Sequence, residues 1–132
     1  MVKATHPTSQ LRQRLAQRPA ALQRLIEALL AEKALFRGYV RRVGVRCGKP
    51  SCRCARGERH EVWRVALRLE GKGTTRSLTE KEAKRWGVPA ESYRRFRETQ
   101  RRLRQLHRET MKEIGELEEA LAVEWSEGER QR

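Results

Sequence analysis

All three cysteines of this 132-residue chain, and one of its three histidines, fall within fourteen consecutive positions. They read Cys47-Gly48-Lys49-Pro50-Ser51-Cys52-Arg53-Cys54-Ala55-Arg56-Gly57-Glu58-Arg59-His60, a C-x4-C-x-C-x5-H spacing. Thiolate and imidazole are the donors zinc prefers, and four of them in a tetrahedron close a structural site with no position left for substrate. Cys47, Cys52, Cys54 and His60 are therefore the candidate ligands and Zn2+ the expected cofactor. Gly48, Pro50 and Gly57 let the backbone turn sharply enough for neighbouring residues to converge on one ion. His107, a water or a partner's side chain are the alternatives to His60 as fourth ligand. A redox dithiol is the competing chemistry, but it is usually carried by C-x-x-C, which this chain lacks.

The second chemical signal is charge. The chain carries 31 basic and 17 acidic residues, a formal net charge of +14, and so attracts polyanions. Arg outnumbers Lys 24 to 7, which suits bidentate phosphate recognition, although a GC-rich genome gives the same bias. Position says more than the total. Residues 37–60 hold eight basic side chains against Glu58 alone, and residues 92–112 hold eight against two. Residues 113–129 hold seven Glu and no basic residue. The candidate nucleic-acid-binding residues are thus Arg41, Arg42, Arg46, Lys49, Arg53, Arg56 and Arg59 around the cysteines, with Arg94, Arg95, Arg97 and Arg101 further on. Trp63, Trp86 and Tyr39 either stack on an unpaired base or fill the small core.

The composition also excludes. There is no Asp and no Asn. Two-metal phosphoryl-transfer sites need clustered carboxylates, so a nuclease or transposase centre is not expected, and no catalytic residue is assigned. No run approaches the roughly 20 apolar residues that span a bilayer. The N-terminus lacks a secretory signal, and three cysteines fit a reducing compartment, so a cytoplasmic location is expected, without membrane or small-molecule partners.

The elements that must position the cysteine loop follow from periodicity. Leu11, Leu15, Leu22, Leu25, Leu29 and Phe36 recur at helical spacing. Pro19 divides this run into an N-terminal arm with a short helix (1–18) and a first long helix (19–37). Val40, Val43 and Val45 suggest a strand before the cysteines. Trp63/Val65/Leu67/Leu69 alternate with Arg64/Ala66/Arg68, the period of a half-buried strand. Gly71-Lys72-Gly73 then turns the chain into a second strand, so residues 38–79 form a zinc loop and hairpin. Thr79 and Glu82 have capping-box spacing and open a short helix and turn (80–89), which Val88-Pro89 ends. A long helix follows over 90–125, then a tail over 126–132. The expected fold is α+β: a zinc-bound hairpin or three-strand head flanked by two long helices in an antiparallel hairpin or coiled coil. The acidic end of the second helix would lie beside Arg12, Arg14, Arg18 and Arg24 of the first, and pairing between chains in a homodimer satisfies the same pattern.

Cys-Gly-Lys-Pro-x-Cys-Arg-Cys followed by Gly-x-x-His (Cys47 to Cys54, Gly57, His60), with Tyr93-Arg94-Arg95-Phe96-Arg97 downstream, resembles an uncharacterised prokaryotic domain-of-unknown-function family over roughly residues 25–115. The resemblance implies a helix, a Cys-rich turn, a β-hairpin and a closing helix, in what look like accessory proteins of mobile elements. Glu61-Val62-Trp63 departs from the Gly-Pro and aromatics usual after that His. The functional expectation is a non-enzymatic, zinc-stabilised basic protein that binds nucleic acid. A helical adaptor that oligomerises or meets an acidic protein is the alternative.

Overall fold

A computed structural model of the chain describes residues 7–125. The fold is α+β: helix α1 (Pro7–Leu30), strands β1 (Gly38–Val45), β2 (His60–Leu69) and β3 (Lys72–Leu78), and helix α2 (Glu80–Leu121). The chain divides into two compact units, residues 30–98 and residues 7–29 with 99–125.

The first unit is built on an antiparallel sheet of order β1-β2-β3. Its register places Val40 opposite Val65 and Arg41 opposite Arg64 in one pair of strands. In the other pair, Val65 lies opposite Arg76 and Leu67 opposite Thr74. Residues directly opposite share a face, so Val40, Trp63, Val65, Leu67, Leu69 and Leu78 lie on one side of the sheet. Val65, Leu67, Leu69 and Leu78 line a cavity there with Phe36 and Trp86, whose rings stand 5.0 Å apart. The other face carries Tyr39, Arg41, Val43, Val62, Arg64, Ala66, Arg68, Thr75 and Ser77.

The turn between β2 and β3 falls at Glu70-Gly71, one residue earlier than the glycines suggested, and both residues have positive φ (52° and 79°). A two-residue turn with this handedness matches the right-handed twist of the strands it joins. Thr79 caps α2 as its spacing predicted: its hydroxyl accepts from the Glu82 N–H at 3.1 Å, and its own N–H donates to the Glu82 carboxylate at 3.0 Å.

Helix α2 corrects the expected break. It runs unbroken through Pro89 from Glu80 to Leu121, so there is no separate short helix over 80–89 and no restart at Ala90. A helical proline forfeits one ladder hydrogen bond. Here Ala83, Ala90 and Ser92 are buried on both sides of it, and the Pro89 carbonyl accepts from the Phe36 N–H at 3.0 Å. That tertiary bond also explains the second correction. Phe36 is not helical: α1 stops at Leu30, and the next residues run extended to bring Phe36 onto Trp86 and Pro89. Glu32 on this stretch takes Arg95 through both carboxylate oxygens, at 3.0 and 3.3 Å.

In the second unit α1 passes through Pro19 as one helix, so the arm and first helix expected over 1–18 and 19–37 are a single element over Pro7–Leu30. Pro19 is exposed and lines an open groove with Leu15, Leu22, Leu106, Thr110 and Ile114. Arg18 beside it reaches Glu113 at 2.6 Å and Glu109 at 3.6 Å. Of the four arginines expected to face the acidic half of α2, Arg18 is the one that forms an ion pair among the described residues. Residues 1–6 and the tail 126–132 lie outside the described residues.

Candidate metal centre

The cysteine loop leaves β1 and returns on β2, and the Val45–His60 pair closes the ladder at its neck. Lys49 to Cys52 form a turn in which the Cys52 N–H donates to the Lys49 carbonyl at 3.1 Å, with Pro50 at the position where its fixed φ suits the turn. A single 3-10 turn follows over Arg53–Arg56. Gly48 and Gly57 hold φ of +79° and +121°, which L side chains adopt only with strain. These devices are local, and together they fold fourteen residues back upon themselves.

The result brings the four predicted ligands together. One donor atom each from Cys47, Cys52, Cys54 and His60 lies within 4.8 Å of all the others, and the group could hold a metal ion. Cys47 Sγ stands 3.4 Å from Cys54 Sγ, and Cys52 Sγ stands 2.9 Å from His60 Nε2. Ligands at about 2.3 Å (sulfur) and about 2.0 Å (nitrogen) around one tetrahedral ion stand roughly 3.5–3.8 Å apart. The set needs adjustments of a few tenths of an ångström to about one, in side chains already converging. Cys54 is 1% exposed, and its sulfur accepts the Cys47 N–H at 3.3 Å. His107, the alternative fourth ligand, is not in the cluster.

The thiols do not share one acidity. The Cys54 N–H, then the Cys47, His60 and Cys54 side chains, stabilise the Cys52 thiolate and draw its pKa down from 9.0 to about 6. Cys47 moves the other way. The Lys49 N–H favours its thiolate, but the neighbouring Cys54 and Cys52 sulfurs and partial burial outweigh that bond. One thiolate forms readily and resists the next, a conflict that a dication among them resolves.

All seven basic candidates of the head, Arg41, Arg42, Arg46, Lys49, Arg53, Arg56 and Arg59, are exposed. Arg42 is partly engaged: it pairs with Glu61 at 3.4 Å and lies over the Trp63 ring at 5.3 Å. On α2, Arg95 is committed to Glu32, and Arg94 pairs with Glu91 at 3.0 Å while its guanidinium sits 5.2 Å from the Tyr39 ring centre. Arg97 is exposed. Arg94, Arg95 and Arg97 belong to the same unit as the head, and Arg101 to the other. The sequence reading passed over Arg64 and Arg68. Strand alternation had put them opposite Trp63 and Val65, but only the register shows Arg64 directly across from Arg41.

A small α+β protein whose sheet carries a three-Cys, one-His cluster is the class that fold and site define. The family model for a domain of unknown function (DUF6788) matches residues 8–86, more than half the chain, and the chain belongs to that family. The matched span holds α1, the cysteine loop and the whole sheet; Tyr93-Arg94-Arg95-Phe96-Arg97 lies beyond it. No curated protein and no solved structure matches the chain.

Proposed function

We propose that this protein is a non-enzymatic, zinc-stabilised nucleic-acid-binding protein of a reducing compartment, with the head as its binding surface. The observation that carries the reading is that exposed Arg46, Lys49, Arg53, Arg56 and Arg59 surround the cluster, with Glu58 the only acid in the loop. Three thiolates, a neutral imidazole and Zn2+ sum to one negative charge, which these neighbours exceed. The acidic counterpart is segregated to the far part of α2, where Glu113 already meets Arg18. Zinc is favoured among metals because soft thiolates with one imidazole in a tetrahedron suit it. A multi-iron cluster would spread its ligands over several metal atoms. The ion would fasten the neck of the loop and fix the arginines on a short rigid mount.

The helices would pair antiparallel, as the Arg18–Glu113 bond and the grooves shared by α1 and α2 support. A second reading, a helical adaptor, draws on that same unit: Leu22, Ile26, Met111 and Ile114 are exposed apolar residues there. Two measurements test the proposal. Metal analysis of the purified chain should return one zinc per chain. Binding to generic DNA or RNA oligomers should weaken steeply with salt, because each phosphate contact releases counterions. Absence of binding at low salt, together with concentration-dependent assembly in equilibrium sedimentation, would favour the adaptor.

A further inference from the structure

The face of the sheet turned away from Phe36 and Trp86 has an unusual composition. Across its middle, Arg41 on β1 lies directly opposite Arg64 on β2, which lies opposite Ser77 on β3. The next row is Tyr39, Ala66 and Thr75, and Arg68 stands beyond it opposite Gly73. No acidic side chain shares this face: Glu61, the one carboxylate within the strands, belongs to the other. Like charges directly opposite on a sheet destabilise it, and Arg41 against Arg64 is such a pair.

Among the described residues no carboxylate pairs with Arg41 or Arg64, while Arg94 nearby is paired with Glu91 at 3.0 Å. The Arg64 Nε is buried and has no hydrogen-bond partner among the described residues. Arg41 makes one contact, its guanidinium 5.7 Å from the centre of the Tyr39 ring, and Arg94 approaches the same ring at 5.2 Å. Two guanidiniums thus meet one exposed aromatic, with Arg64 directly across from Arg41 and alanine, serine and threonine as the neighbouring positions. A desolvated donor without an acceptor, beside a like charge directly opposite, is an arrangement that an anion completes.

We infer that this outer face is the site where single-stranded nucleic acid lies, its phosphodiesters held by Arg41, Arg64 and Arg94 and a base stacked on Tyr39. The inference rests on the nucleic-acid reading of the head and moves its centre from the cysteine loop to the sheet. A single strand is the occupant because only an unpaired base can stack on Tyr39, which is 42% exposed. An unpaired strand can spread its backbone over arginines and lay a base on an aromatic, as sheet-based binders of single strands do. Arg68 would extend the track along β2, four residues on from Arg64 at about 3.3 Å each.

The test compares two variants by fluorescence anisotropy with a labelled oligothymidylate of about 20 nucleotides, which would overrun the face. Arg41→Gln/Arg64→Gln should weaken binding by about tenfold or more and reduce the slope of log affinity against log salt by about 1.4, two contacts at roughly 0.7 each. Tyr39→Ala should cost about tenfold. Arg53→Gln/Arg56→Gln/Arg59→Gln should cost less than either. Thermal melting controls for folding: the Arg41/Arg64 variant should melt at or above the parent temperature, because it removes the repulsion. If the parent binds and the Arg41/Arg64 variant binds equally well, the sheet site is wrong while the nucleic-acid reading stands. Tighter binding of the matching duplex would remove the single strand as occupant. If the parent shows no salt-sensitive binding of any oligomer, both ideas fall together.

Discussion

The two units hold themselves together by different means. The helical unit has one extended apolar seam and the Arg18–Glu113 bond at its side, with Leu11 its one buried apolar side chain among the described residues. The head buries little more, Cys54, Val65, Ala83 and Ala90, yet it carries three strands, a fourteen-residue loop and most of the exposed arginines. A small hydrophobic core does not offset the chain entropy of so much irregular backbone. What differs is the staple. The helices depend on a charge pair and length; the head has short-range polar devices and, in the function proposed above, an ion held by the Cys/His cluster. The exposed arginines and the four-residue Cys/His cluster fall where packing is thinnest.

The largest effect should separate the units outright. Structural zinc contributes on the order of 10 kcal/mol to small modules. Cys54→Ser removes the buried ligand, so loss of the ion should cost several kcal/mol. Hydrogen exchange should then show residues 38–78 losing protection while 7–29 and 99–121 keep theirs. Stripping the ion with a strong chelator should reproduce that pattern. Unchanged protection across 38–78 in metal-free protein would show that the head does not need its staple.

The reciprocal experiment strikes the helices. Glu113→Ala leaves Arg18, whose side chain is 22% exposed, with only the distant Glu109. Removing one partner of a buried pair costs about 3–5 kcal/mol, and partial exposure of Arg18 reduces this to about 2–3 kcal/mol. Denaturant unfolding should report that loss, and exchange should place it in the helical unit. Arg18→Met/Glu113→Leu should recover most of it, since an apolar pair fits the same groove. A loss spread evenly over both units would end the comparison.

These contrasts mark what the sequence disclosed. The cluster was legible because its four ligands and its glycines lie within one loop, so spacing alone nearly determines convergence. The capping box and the β2 alternation were legible for the same reason: each is a contact or a period of a few residues. Helix limits were not. Whether Pro19 and Pro89 break a helix depends on partners up to 95 residues away, Glu113 for the turn beside Pro19 and the Phe36 N–H for Pro89. The Arg41–Arg64 opposition was hidden too, since a one-residue slip in register would send one of them to the other face.

A smaller effect tests the cap that joins the sheet to α2. Thr79→Ala removes the hydroxyl that accepts the Glu82 N–H and should cost about 1 kcal/mol. Glu82 adds a pH signature. Its carboxylate accepts the Thr79 N–H, which holds its pKa below the ordinary 4.5. A depressed folded value means that the contribution is fully present above about 4.5 and fades as pH falls through the lower folded value. Melts of the parent and Glu82→Gln should differ at neutral pH and converge in acid. Curves that stay parallel to low pH would show that the charge of Glu82 is immaterial.

The smallest effect should be a gain. Glu70 is the one described non-glycine residue with positive φ, in the two-residue turn it shares with Gly71. A left-handed conformation is costly for Glu and nearly free for Asn, and Asn-Gly is the pair this turn favours. Glu70→Asn should stabilise the protein by about 0.5 kcal/mol, with slower exchange along β2 and β3 and no change in the helical unit. It acts far from the ligand cluster, so the gain should persist with the metal removed if the hairpin is itself a source of order in the head. A gain that vanishes in metal-free protein would make the hairpin subordinate to the ion. A loss would show that the Glu70 carboxylate, rather than strand twist, maintains the turn.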